Sequence, residues 1–197
     1  MKNLLKFYIA TTLLITTSGC ISVRENKNPK IQAENFKIST TKKPNVFIDL
    51  NFHSSMFSQN KQSIIDKAKS DQKKMFSKII EESDCCNVVD DQEKSNLVIN
   101  GTFYNESSDT GIYFAYLTGF SFFVIPSWIN SKMKISVQAN NGKITKDYVF
   151  EDSVFIAQWL PLVLAMPFRT SPIKDESGVN KDLYKSLLLK MKEDGLL

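Results

Sequence analysis

Along "NVFIDLNF", residues 45–52, apolar Val46, Ile48, Leu50 and Phe52 alternate with Asn45, Phe47, Asp49 and Asn51. A period of two predicts a strand with one strongly apolar face. The polar "HSSMFSQ" interrupts it and offers Ser and Asn helix caps. Ile64, Ile65, Ala68, Met75, Phe76, Ile79 and Ile80 then recur at helical spacing among lysines, glutamines and acids. They predict an amphipathic helix of about twenty residues whose stripe faces a core. "SNLVINGTFY" is a mostly apolar run that suits a central strand. "KMKISVQA" alternates, "NNG" turns and "KITKDYVFE" returns. Asn141-Gly142 suits a two-residue type I′ turn. That turn would set Ala139 opposite Ile144, Ile135 opposite Tyr148, Met133 opposite Phe150 and Lys132 opposite Glu151. A helix near 180–192 closes the chain, with Leu183, Leu187 and Met191 on one stripe and Asn180 as its cap. The order strand, helix, strand, hairpin, helix predicts an α+β fold, with helices packed on one face of a mainly antiparallel sheet.

Two apolar segments flank the hairpin, at 111–130 and 153–168. No charged residue lies between Asp109 and Lys132, or between Asp152 and Arg169. The first is long enough for a membrane-spanning helix, and the second is shorter and broken by Pro161 and Pro167. Trp128 and Trp159 each stand near a proline, and tryptophan favours the membrane–water boundary. Three readings of these segments are open: buried core, dipping into a lipid leaflet, or spanning as a hairpin. Phe122, Phe123, Trp128, Trp159 and Leu160 are the candidate membrane-contact residues.

The chain opens "MKNLLKFYIATTLLITTSGC". Lys2 and Lys6 give a positive start, an apolar run reaches Ile15, and small residues follow, which is the layout of a secretory signal. Thr17, Ser18 and Gly19, with Cys20, resemble the lipobox of bacterial lipoproteins, although leucine is usual where Thr17 stands. The resemblance implies cleavage before Cys20, a diacylglycerol thioether on its sulfur and an acyl chain on the new amino terminus. A thiol suits that attack because its thiolate is a strong nucleophile near neutral pH. In the enteric pattern an aspartate after the cysteine retains the lipoprotein in the inner membrane. Ile21 and Ser22 follow here, which implies the outer membrane, facing the periplasm.

Composition narrows the remaining chemistry. Residues 20–197 make one domain with a real core, and removing Lys2 and Lys6 takes the formal charge from +4 to +2. Only Arg24 and Arg169 are arginine, and lysines alternate with acids, which argues against nucleic acid. Cys85 and Cys86 are adjacent, so they are a candidate redox pair or two buried thiols. No zinc spacing, Walker loop or dinucleotide fingerprint occurs. His53 is the only histidine, and "GFSFF" lacks the final glycine of a nucleophile elbow. "DTG" at 109–111 occurs once, whereas aspartic proteases need two aspartates sharing a proton. Glu81, Glu82 and Asp84, like Asp90 and Asp91, miss the calcium-loop pattern and read as solvated acids.

The sequence therefore predicts a signal peptide at 1–19, a lipidated flexible tether at 20–44 and a single α+β domain at 45–197. No catalytic residue, metal ligand or cofactor is expected beyond the covalent lipid. The expected function is a lipid-anchored, non-enzymatic envelope lipoprotein binding a protein or lipid partner in assembly, secretion or immunity. A lipid- or wall-modifying enzyme and an oligomeric, membrane-inserting pore are the alternatives.

Overall fold

The computed structural model describes residues 20–28, 31, 36–38, 43–55, 62–162 and 172–197. Thr17, Ser18 and Gly19 lie outside them, as does 163–168 of the second apolar segment. The elements are β1 (Cys20–Arg24), β2 (Asn45–Ser54), α1 (Gln62–Ser83), β3 (Asn87–Val89), β4 (Leu97–Ser107), α2 (Asp109–Phe120), β5 (Ser127–Asn140), β6 (Thr145–Gln158) and α3 (Pro172–Glu193). The six strands form one sheet in the order β1-β6-β5-β4-β2-β3. β2 runs parallel to β3 and β4, joined to them through α1, and the other three neighbouring pairs are antiparallel.

The fold is α+β, with α1 and α3 side by side over one face of the sheet. Alternation builds that face. Ile48, Leu50, Ile99, Phe103, Ile135 and Val137 all point to it and are buried. α1 answers with Phe76, Ile79 and Ile80, and α3 with Leu183, Tyr184 and Leu187. Phe76 and Tyr184 stack at 4.6 Å between ring centroids, and the Tyr184 hydroxyl donates to Gln72 Oε1 at 2.9 Å. The opposite face of the sheet has no helix of that pair over it. It is largely polar along the middle of the strands, where Gln138 donates to Asp147 at 2.9 Å and Lys134 lies over the Tyr104 ring.

Three expectations are corrected. The hairpin is closed by four residues, 141–144, and not by Asn141-Gly142 alone. Asn141 Oδ1 accepts from the backbone N–H groups of Lys143 and Ile144, and Gly142 takes φ +80°. Pairing moves by two residues, so Ile135 faces Phe150, Val137 faces Tyr148 and Met133 faces Asp152. A shift of two keeps every side chain on its expected face. It also brings Lys146 and Tyr148 to Asp194, just beyond α3, at 3.0 and 2.9 Å.

The second correction concerns α3, which begins at Pro172, so Asn180 lies inside the helix and is not its cap. Proline fits a first helical position because no N–H is needed there. The third concerns the tether. Cys20–Arg24 is an edge strand of the sheet, pairing with β6 from Gln158 to Val154. Farther on, Phe36 and Ile38 are buried in the core.

What holds β1 is a buried charge network. Arg24 Nε and Nη2 donate to Asp152 Oδ2 at 3.0 and 2.8 Å, and its Nη1 donates to Asp182 of α3. Arg24 and Asp152 are 8% and 1% exposed, so neither charge is solvated by bulk water. Burial pulls the Arg24 guanidinium toward neutrality, but the bonds to Asp182 and Asp152 outweigh it and hold the cation.

Candidate functional site

The strands end unequally, and the site lies at the uneven end. β4 stops at Ser107, level with Ser131, while β5 reaches back to Ser127. α2 packs against β5 and crosses it where β4 no longer pairs. Ser108 caps α2, its side chain accepting from Gly111 N–H at 3.2 Å. Gly111 sits so close to β5 that a Cβ there would come within 3.1 Å of the Trp128 carbonyl and 2.7 Å of Ser108 Oγ. Gly111 and Thr118, seven positions apart, are the buried residues of this helix.

α2 is therefore packed by its small residues and shows its large ones to the outside. Tyr113, Tyr116 and Phe120 are 63%, 67% and 83% exposed. The apolar residues circle the helix without forming a stripe, unlike those of α1. A helix apolar all round is normally enclosed by protein or lipid.

The turn after α2 extends the same surface. Phe122 N–H donates to Gly119 O at 3.1 Å and Phe123 N–H to Thr118 O at 2.8 Å, the bond pattern of a Schellman cap. Such a cap places a left-handed residue just past the helix, usually glycine. Here Phe122 and Phe123 take φ +52° and +64°. Bulky side chains rarely adopt that conformation, which costs about 1 kcal/mol or more each. Leu160 N–H, just beyond β6, donates to Phe123 O at 2.7 Å and ties the turn to the sheet. Phe122 is left three-quarters exposed, while Phe123 and Leu160 are half-buried.

Trp128 and Trp159 stand beside this turn, 64% and 42% exposed. A groove of about 440 Å³ opens where Phe114 meets Ile125 and Trp128. Asn130 also lines it, and its Oδ1 is buried without a hydrogen-bond partner among the described residues. Phe155 and Val23, in one cross-strand row with Asn130, continue the apolar surface on the face away from α1 and α3.

Cys20 belongs to this end of the molecule. It pairs with Gln158, which pairs with Ser127, so the three form one row across the sheet. The next row is Ile21, Ala157 and Trp128. Burial pushes the Cys20 thiol up, partly opposed by its bond with Gln158.

The other sequence candidates stay apart from this surface. Cys85 and Cys86 follow α1 as buried thiols bonded to each other, with no disulfide between them. That bond lowers Cys85 and raises Cys86. His53 is exposed at the end of β2, edge-on to Tyr104. Asp109 is exposed in the first turn of α2. Glu81 and Glu82 are exposed, Asp84 pairs with Lys43, Asp90 with Lys73 and Asp91 with Lys94. Among the described residues no group of three or more such side chains could hold a metal ion.

Sequence reasoning named Phe122, Phe123, Trp128, Trp159 and Leu160, and the structure places them at the same end of the sheet, with Leu160 bonded to Phe123. It missed Tyr113, Tyr116, Phe120 and Asn130. The signal for the first three was present: Gly111, Ala115 and Thr118 at i, i+4 and i+7 mark a packing stripe of small residues, leaving the aromatics outside. The reading of 111–130 as buried core fails for these exposed side chains. At 12 residues α2 is about 18 Å long, and among the described residues no helix is long and apolar enough to cross a membrane. No protein-family model and no curated protein matches the chain.

Proposed function

We propose that this protein is a lipid-anchored, non-enzymatic component of the cell envelope, held at the outer membrane on its periplasmic side. There it binds a protein or lipid partner in an assembly, secretion or immunity process. One observation supports the reading above the others: the cysteine of the lipobox-like "TTSGC" opens β1 in the same sheet row that meets the exposed aromatic lobe. Lipid on Cys20 and the apolar lobe would then serve one surface. Two or more acyl chains give stable anchoring, since each buried CH₂ contributes about 0.8 kcal/mol.

Intact mass combined with membrane fractionation tests the proposal. Wild-type protein is expected to start at Cys20, to carry a diacylglycerol and a further acyl chain, and to fractionate with membranes. The Cys20→Ala variant is expected to lack that mass. An unmodified Cys20 in the mature wild-type protein would end the reading.

A further inference from the structure

We propose that the aromatic lobe is a membrane-seating surface. In it α2, the turn at 121–126, Trp128 and Trp159 enter the interfacial zone of the leaflet that holds the Cys20 acyl chains. The sheet then stands with its strands upright on the bilayer. The inference rests on the reading of Cys20 as the lipidated residue for which leaflet is meant.

Four observations select a lipid leaflet over a protein groove. First, the chain from 110 to 131 carries no charge, and the one charge of α2, Asp109, stands exposed in its first turn. Second, α2 is apolar around its whole circumference. A helix that docks in a protein groove needs one apolar stripe, as α1 has, whereas an isotropic apolar medium rewards every side. Third, the exposed large residues mix purely apolar Phe114, Phe120, Phe122, Val124 and Ile125 with Tyr113, Tyr116, Trp128 and Trp159, whose amphipathic rings settle at headgroup level. Fourth, the row Cys20, Gln158, Ser127 ends where the turn at 121–126 enters β5, so Cys20 opens its strand at the lobe's end of the sheet, its side chain on the α3 face with Ser22 and Arg24.

The far end of the molecule supports the same orientation. β5 is 14 residues long, so its ends stand about 45 Å apart. At the end opposite the lobe lie Asn140, Asn141, Gly142 and Lys143, with Ile144 the one large apolar side chain of that loop. The left-handed Phe122 adds a further point. The backbone there would accept glycine more readily, yet the position holds a large ring directed outward. Local rules broken in this way mark functional surfaces.

The two tryptophans are the only ones in the chain, and both lie in the lobe, so they report on it directly. Full-length protein purified from membranes is reconstituted into phosphatidylethanolamine–phosphatidylglycerol vesicles, with and without brominated-chain phosphatidylcholine. Brominated chains are expected to cut tryptophan emission roughly twofold, and aqueous acrylamide to reach the rings poorly. Phe120→Lys places a cation at the last position of α2, where it suits the helix dipole. That variant is expected to keep the wild-type circular dichroism and to lose most of the bromine quenching.

Ready acrylamide quenching without bromine quenching, on protein whose Cys20 carries lipid, would overturn the seating and leave the anchor intact. Quenching by neither agent would overturn it in favour of a protein cover over the lobe. Bromine quenching with an unmodified Cys20 would support the seating while removing the anchor reading. Undiminished bromine quenching in folded Phe120→Lys would also overturn it.

Discussion

At the scale of single residues, two side chains sit where local physics opposes them. Phe122 occupies the left-handed cap position of α2 and is largely exposed, so its ring gains little from packing. Phe122→Gly removes the backbone strain but gives the unfolded chain more freedom. Thermal unfolding of that variant is expected to show no loss of stability and a gain of up to about 1 kcal/mol. A loss of several kcal/mol would mean that the ring packs against something else. Glu176 is the second case. Burial raises its carboxyl above the usual carboxylate range, opposed in part by a bond with Ser131. The folded state thus holds the proton more tightly than the unfolded state does. This contribution is least unfavourable below the unfolded value near 4.3, and stability falls as pH rises through the folded value. Glu176→Gln should therefore be more stable than wild type at about pH 7 and no more stable at about pH 4. Equal melting curves at both would refute the assignment.

At the scale of elements, β1 and α2 depend on single contacts that can be cut. Arg24 is held between Asp152 and Asp182, so Asp152→Ala removes two of its buried bonds and leaves it to Asp182. Leaving a buried charge wholly unpaired costs about 3–5 kcal/mol, so with Asp182 retained the loss is expected below that range, readable as a shifted denaturation midpoint. An unchanged midpoint would mean that β1 adds nothing to the domain. α2 depends on Gly111, where a methyl group would meet the Trp128 carbonyl and Ser108 Oγ. Gly111→Ala is expected to lower stability by about 1–3 kcal/mol by forcing α2 off β5, seen as a change in tryptophan emission as well as in the melt. These elements also mark where the sequence was legible. β2, β4, β5, β6 and α1 were readable because each buries one face, and burial imprints its period on the residues. β1 was not, since "CISVR" has no telling period and its partners Asp152 and Asp182 lie 128 and 158 residues away. Hairpin register escaped for a related reason. Asn141 could serve a two-residue or a longer loop, and the contacts of Lys146 and Tyr148 with Asp194, at the far end of the chain, accompany the longer one.

At the scale of the whole molecule, apolar character is sorted along the strands as well as across the sheet. One end gathers the lobe, Trp128, Trp159 and Cys20, while the other gathers the hairpin loop. The sequence revealed that residues 111–130 were apolar but not that they were outside, because composition alone does not separate core from surface. Only the packing of Gly111 against β5, with Thr118 buried on the same side of α2, turns the aromatics outward. The docking of β1 has a mechanical consequence. Arg24 lies about 13 Å along the strand from Cys20. A pull on Cys20 away from the sheet runs along β1, so its bonds to β6 are loaded together in shear instead of opening one at a time. The grip of Arg24 on Asp152 and Asp182 comes at the end of that loaded line. Tension at Cys20 is thus delivered straight into β6 and α3, making the strand a stiff handle where a slack leash was expected.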